Sequence, residues 1–157
     1  MGNDVKIIWD VDAMQGDISF DAVLQDLEKD DGLETAVLIS LFTDRRAKDD
    51  DILPDANNPD KRGWWAGLTT DGDQIGSRLW LLDRAKTTTD VLTFARQYAE
   101  ESLQWLIEDE VASKIAVTTE RQGTPENGVL ALKVEIYQKD GNSRALQYNA
   151  QWIGQFN

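Results

Sequence analysis

Carboxylates are the most abundant reactive side chains in this 157-residue chain: 29 Asp and Glu against 16 Lys and Arg, with no His and no Cys. Without cysteine there is no thiolate nucleophile, disulfide or cysteine-ligated zinc. Without histidine the commonest general base, the Ser-His-Asp arrangement and the usual zinc and iron ligands are absent. Two carboxylate chemistries remain, glycoside hydrolysis by an acid pair and calcium binding by an acidic loop. A calcium loop begun at Asp71 has Asp73 at its third position, but Ile75 at its fifth and Leu82 where the closing Glu is required; one begun at Asp55 has Pro59 at its fifth and Asp60 where Gly is needed. An acid pair carries no information in so acidic a chain, since almost any fold brings two of them together. No G-x-S-x-G nucleophile turn occurs, and Gly72 and Gly76 do not form a G-x-G-x-x-G phosphate loop. The expectation is a non-enzyme with no catalytic, cofactor or metal site and no small-molecule substrate.

The other distinctive side chains are aromatic and cationic. Three of the six tryptophans fall between Arg62 and Leu82 amid turn residues and arginines. That segment belongs to a connection from an apolar helical run ending near Phe42 to another beginning near Ile75, far longer than compact domains use. Trp and Arg dominate binding energy at protein interfaces, so Arg62, Trp64 and Trp65 are candidate anchors, with Arg45, Arg46, Arg78 and Trp80 beside them. The plainer alternative is local salt bridging. Residues 45–86 carry 8 basic and 8 acidic side chains, whereas residues 1–44 carry 2 and 11 (net −9) and residues 87–157 carry 6 and 10 (net −4). The connection, rich in Gly, Pro, Asp and Asn, is expected to be ordered by partners more than by its own domain. Arg45 and Arg46 are expected at the C-terminal end of the preceding helix, one of them paired with an acid of the following loop.

An acidic N-terminal third argues against phosphate-backbone binding. The start, Met1-Gly2-Asn3-Asp4-Val5-Lys6, lacks the basic region and apolar core of a secretory signal, and Lys6 stands where a myristoylation site wants Ser or Thr. Nothing reaches the length of a membrane span. The expectation is a cytosolically made protein with no nucleic-acid or membrane partner.

These side chains are positioned by elements of two periods. Val5–Trp9 and Asp17–Phe20, around a Gly16 turn, read as a strand pair, and Ala22–Lys29 is either a short helix or a third strand. Leu33–Phe42 is apolar on nearly every face and reads as a mostly buried helix; Asp49–Asp60 is loop; Gly76–Leu82 reads as a short apolar helix. Thr87-Thr88-Thr89-Asp90 caps a long amphipathic helix to about Ile107, whose core stripe is Val91, Ala95, Tyr98, Ala99, Ser102 and Leu106. Three alternating runs follow: Ile115 and Val117; Leu130, Leu132, Val134 and Ile136; and Leu146, Tyr148, Ala150 and Trp152. Turns at Pro125–Gly128 and Asp140-Gly141 separate them. Trp105 and Trp152 sit in periodic segments and read as core. The fold class is α+β: one domain over residues 1–157, helices packed on a largely antiparallel sheet with a C-terminal three-stranded meander. The last strand, Arg144–Ile153, ends the meander and leaves a backbone edge open, with Gln147 and Asn149 on its outward side; an open edge invites another strand.

Five blocks also resemble a known family in order and spacing: Leu33-Glu34-Thr35-Ala36-Val37, Phe42-Thr43-Asp44-Arg45-Arg46-Ala47, Arg62-Gly63-Trp64-Trp65, Gly76-Ser77-Arg78-Leu79-Trp80-Leu81-Leu82 and Leu103-Gln104-Trp105-Leu106. Together the chain, from about Val5 to Trp152, resembles the gene-forty-six family of Mu-like phages, departing at Ala66-Gly67 where a Gly-Asp-like pair is expected. The resemblance implies a structural wedge protein of a contractile tail baseplate, related to the lysozyme-like wedge proteins but without catalysis. It would be made in the host cytoplasm, located in the virion baseplate, and bound to other wedge subunits and the first ring of sheath. Two alternatives stay open: a carboxylate-dependent cell-wall glycan hydrolase of the tail, and a regulatory adaptor that binds a host protein by its sheet edge.

Overall fold

The computed structural model describes residues 4–5, 7–10, 15–18, 20–21, 26–27, 29–30, 32–63, 75–83, 89–124 and 128–150. The N-terminal region forms short antiparallel ladders. β1 (Asp4–Val5) pairs with β6 (Lys29–Asp30), β2 (Ile7–Asp10) with β3 (Gln15–Ile18), and β4 (Phe20–Asp21) with β5 (Asp26–Leu27). The expected strand pair is therefore present as β2 and β3. The ambiguous stretch contributes strand at Asp26–Leu27 and Lys29, while residues 22–25 and 28 lie outside the described residues.

Helix α1 (Leu33–Phe42) follows Gly32, carries Glu34 in its first turn, and buries Leu33, Val37, Leu38, Ser40 and Leu41. Its apolar residues spread around the axis, so burial rather than amphipathic patterning holds it. Ile39 is the exception, 42% exposed. Helix α2 (Thr89–Leu103) buries Val91, Ala95, Ala99, Ser102 and Leu103. The backbone stays helical at Gln104 and resumes as α3 (Trp105–Glu108), so the helical segment ends within a residue of the expected Ile107. Its expected N-terminal cap at Thr87 and Thr88 lies outside the described residues.

Strands β7 (Lys114–Gly123), β8 (Gly128–Tyr137) and β9 (Ser143–Ala150) form the expected antiparallel meander in the order β7-β8-β9. Side chains alternate between faces along each strand. Val117, Leu130, Leu132, Val134, Ile136 and Tyr148 are buried on the helix-facing side, and Thr118, Lys133, Ala145 and Gln147 are exposed on the other. α2 covers β7, where Thr119 Oγ1 donates to the Leu92 carbonyl at 2.9 Å. α1 reaches β9, where the Phe42 and Tyr148 rings meet edge to face at 5.6 Å. Burial, with the Glu34 charge adding to it, pushes the Tyr148 hydroxyl well above its ordinary value. The result is one α+β domain whose core lies between two helices and one face of the meander.

Candidate interaction site

The arginine cluster is built on a backbone that two glycines make possible. Gly76 has φ +101°, and a Cβ there would overlap the Thr43 carbonyl oxygen, so no other residue fits. This close approach lets Ser77 N donate to Thr43 O and Arg45 N to Ser77 O, each at 2.9 Å, forming a parallel bridge between Asp44 and Ser77. On the other side of the same segment, Ala47 N donates to Lys61 O at 2.9 Å. Gly63 (φ +110°) packs where a Cβ would press on Arg46 Cβ. Residues 43–47 are thus laced between residues 61–63 and 75–77. Buried Ser77 completes the joint: its Oγ donates to the Leu41 carbonyl at the end of α1 and accepts from Leu79 N at 3.2 Å. The expected short helix after Gly76 is a single 3-10 turn, Leu79–Leu82, with all four residues buried.

The cluster's inner part is charged. Arg78 donates to Glu101 Oε2 from Nε at 3.0 Å and Nη2 at 2.8 Å, and to Asp51 Oδ1 from Nη1 at 2.6 Å. Its guanidinium lies 4.5 Å from the centre of the Tyr98 ring. The side chains of Arg78 and Asp51 are only 11% and 9% exposed. Glu101 also accepts from Lys48 Nζ at 3.0 Å and has Arg45 Nη1 at 3.8 Å, so three cations converge on it. Burial alone would lower the Arg78 pKa, but its bonds to Asp51 and Glu101 outweigh this and raise it. Burial would raise Glu101, and the Lys48 and Arg78 bonds overcome that and hold it below the usual carboxylate range. At Arg45 desolvation wins over attraction to Glu101, Arg78 adds repulsion, and the pKa falls.

The outer part is carried by Arg62. Its backbone is left-handed at φ +50°, a conformation costing a non-glycine residue about 1–2 kcal/mol. Three contacts hold it: Arg62 N donates to Asp60 Oδ1 at 2.8 Å, Nη1 donates to Asp44 Oδ2 at 3.0 Å, and the guanidinium covers the Trp80 ring at 4.6 Å. Trp80 is 6% exposed and its Nε1 donates to the Arg45 carbonyl at 2.7 Å. Beside it a small open cavity of about 190 Å³ is lined by Phe42, Asp44, Arg62, Leu79, Trp80 and Asp83 among others.

Arg45, Arg46, Arg62, Arg78 and Trp80, read from sequence as partner-binding, are therefore brought together, but they do not all face outward. Arg46 and Arg62 are exposed, whereas Arg78 and Trp80 are turned inward and hold the platform. Trp64 and Trp65 lie outside the described residues. Gln147 and Asn149 are on β9, paired with Lys133 and Ala131 of β8. Two expectations need correction. The last turn of α1 holds no basic residue; Arg45 and Arg46 lie past its Thr43 cap, where Arg45 pairs with Glu101 of α2 and Arg46 Nη1 reaches the Arg62 carbonyl at 3.5 Å. Among the described residues no ion pair joins either of them to an acid of the following loop, whose Asp51 pairs with Arg78 and Asp49 with Lys61. Nor does the connection from 43 to 63 depend on partners for its order, since ion pairs and hydrogen bonds within the domain fix it.

Sequence reasoning did not place Glu101 and Asp51 in the site, and it read Tyr98 as part of the core stripe of the long helix. Balanced charge in residues 45–86 signalled pairing, but the main counter-ion sits on α2, and only Tyr98 and Glu101, three residues apart on one helix face, hinted at a joint target. Glu101 and Asp49 are both shifted toward easier ionisation, Asp49 by its bond to Lys61, the reverse of what a general acid requires.

The comparisons with known proteins fit this architecture. A family described as "Phage protein GP46" matches residues 33–143, from the start of α1 to the first residue of β9, a span that includes the whole cluster. The chain is 43% identical over 151 residues to the baseplate protein gp46 of Escherichia phage Mu, covering 96% of this chain and 98% of that one. It is 37% identical over 123 residues to the Mu-like prophage FluMu protein gp46 of Haemophilus influenzae, covering 78% and 81%. The chain belongs to the GP46 family of phage proteins.

Proposed function

We propose that this chain is a non-enzymatic structural component of a contractile phage tail baseplate, a wedge protein that acts through protein contacts. The observation that carries the reading is its 43% identity, nearly end to end, to a baseplate protein of phage Mu. In this reading residues 1–157 act as one wedge domain, made in the host cytoplasm and incorporated into the virion. Its neighbours are other wedge subunits and the first ring of sheath.

Two surfaces support it. The first is the exposed side of the arginine cluster, Arg46 and Arg62, held rigidly by Arg45, Arg78 and Trp80, with Trp64 and Trp65 as further anchors. The second is the edge of β9, which pairs only with β8 among the described residues. In the β8-β9 turn Gln138 N donates to Asn142 O at 2.8 Å, which marks that pair as hydrogen-bonded. By the antiparallel alternation the amides of Ser143, Ala145, Gln147 and Asn149 then point away from β8. An incoming strand can pair there, and sheath is the proposed donor.

Proline at 147 or 149 removes one of these amides without taking a bond from β8. Gln147→Pro and Asn149→Pro proteins should fold and enter baseplates yet recruit sheath poorly, as counted by electron microscopy of tails. Normal sheath recruitment by both variants refutes the edge assignment. Cleavage of peptidoglycan by the purified wild-type chain, lost on one carboxylate substitution, refutes the non-enzymatic reading.

A further inference from the structure

Ile52 is 89% exposed, whereas the other exposed large apolar residues among those described, Ile39, Phe94, Ile107, Val111 and Tyr137, lie between 37% and 47%. Scattered, half-exposed apolar side chains are ordinary on a protein surface. Ile52 differs because both its neighbours are fastened. On one side Asp51, nearly buried, accepts from Arg78 Nη1 through Oδ1 and from Lys48 N at 2.7 Å through Oδ2. On the other side Leu53 packs against the Ala47, Trp80 and Leu81 cluster. With residues 51 and 53 tied inward, the chain holds Ile52 pointing out, and Asp49–Lys61 pairing pins the far side of the loop. The side chain has little freedom to fold back onto its own domain.

We infer that Ile52 is a preformed knob that inserts into an apolar pocket on a neighbouring baseplate subunit, and that the rim of this pocket is cationic. The inference rests on the baseplate reading above. The rim charge follows from the acids around the knob: Asp50 is exposed and makes no ion pair among the described residues, and Asp49 is fully exposed, its pairing with Lys61 joined by only a weaker attraction from Arg46. A second copy of this chain is the wrong occupant. Its net charge is −13, and Arg45, Lys48, Lys61, Arg62 and Arg78 of its central region already hold acids. An anchor whose loop is ordered before contact loses little entropy on docking, which suits an interfacial hot spot.

The test supplies wild-type, Ile52→Ser, Ile52→Asp and Asp50→Lys chains to cells carrying a phage genome that lacks this gene. Tail baseplates are purified and the incorporated chain is quantified, alongside thermal unfolding of each purified chain. All four should unfold at the same temperature, since neither side chain is packed. Both Ile52 variants should lower incorporation at least about tenfold, and Asp50→Lys less, with the wild-type level falling as salt is raised. Equal incorporation of wild type and both Ile52 variants overturns the knob while leaving the baseplate reading intact. Absence of the wild-type chain from purified baseplates overturns both.

Discussion

The helix-on-meander core and the loop cluster at residues 43–63 and 75–83 are held by different forces. In the core Leu103, Leu106, Leu130, Leu132, Val134 and Ile136 are fully buried, and the stabilisation is non-directional apolar burial. In the cluster the chain has almost no regular structure, and order comes from Arg78 between Asp51 and Glu101, Arg62 on Trp80, and glycines that admit close backbone approach. The difference has a functional consequence. Apolar packing makes a stable scaffold that tolerates volume-conserving change, whereas directional polar contacts fix the position of a few exposed groups, as the proposed assembly surface requires.

The largest loss of stability is expected from the core. Leu132→Ala should cost about 4 kcal/mol in denaturant unfolding, because the site is closed on both sides and collapses poorly. That loss should be the same at low and high salt. Arg78→Ala should cost about 3 kcal/mol, since it leaves Asp51 buried without its cation; Glu101, at 30% exposure, regains water more easily. An Arg78→Ala chain as stable as wild type would show that the cluster is not held by this ion.

A smaller effect sharpens the contrast by pH. Glu101 is held below its ordinary value of 4.5, so its contribution to stability is complete above that value and disappears as the pH falls through the lowered folded value. Wild-type stability should therefore drop in acid more steeply than that of Glu101→Gln, measured by unfolding below pH 4.5. The smallest effect belongs to the outer face. Arg62→Ala should change stability by about 1 kcal/mol or less, because the Asp44 pair is half exposed, and should instead impair baseplate incorporation.

Periodicity made the core legible. The α2 stripe from Val91 to Leu106 and the alternation of Leu130, Leu132, Val134 and Ile136 each follow from one element's geometry, so the sequence alone carries them. Gln104 shows the limit, since its local tightening between α2 and α3 leaves the apolar pattern unbroken. The cluster was legible in composition but not in pairing. Arg45, Arg46, Arg62, Arg78 and Trp80 could be picked out by type, yet the meeting of Arg45 and Arg78 with Glu101 depends on how α2 lies against the loop, and that is set by packing elsewhere. Gly76 illustrates the same point: its necessity comes from Thr43, distant in sequence and adjacent in space. Trp64 and Trp65, the most conspicuous pair in the sequence, lie outside the described residues.

The proposed role makes the chain a built part of the tail. It is tested most directly by deleting the gene from its phage, restoring it in trans, and examining purified tails by mass spectrometry and electron microscopy. No complete baseplates should form without the gene, and on restoration complete tails should contain this chain in fixed proportion to the other baseplate proteins. Complete, sheathed tails assembled in its absence would contradict it.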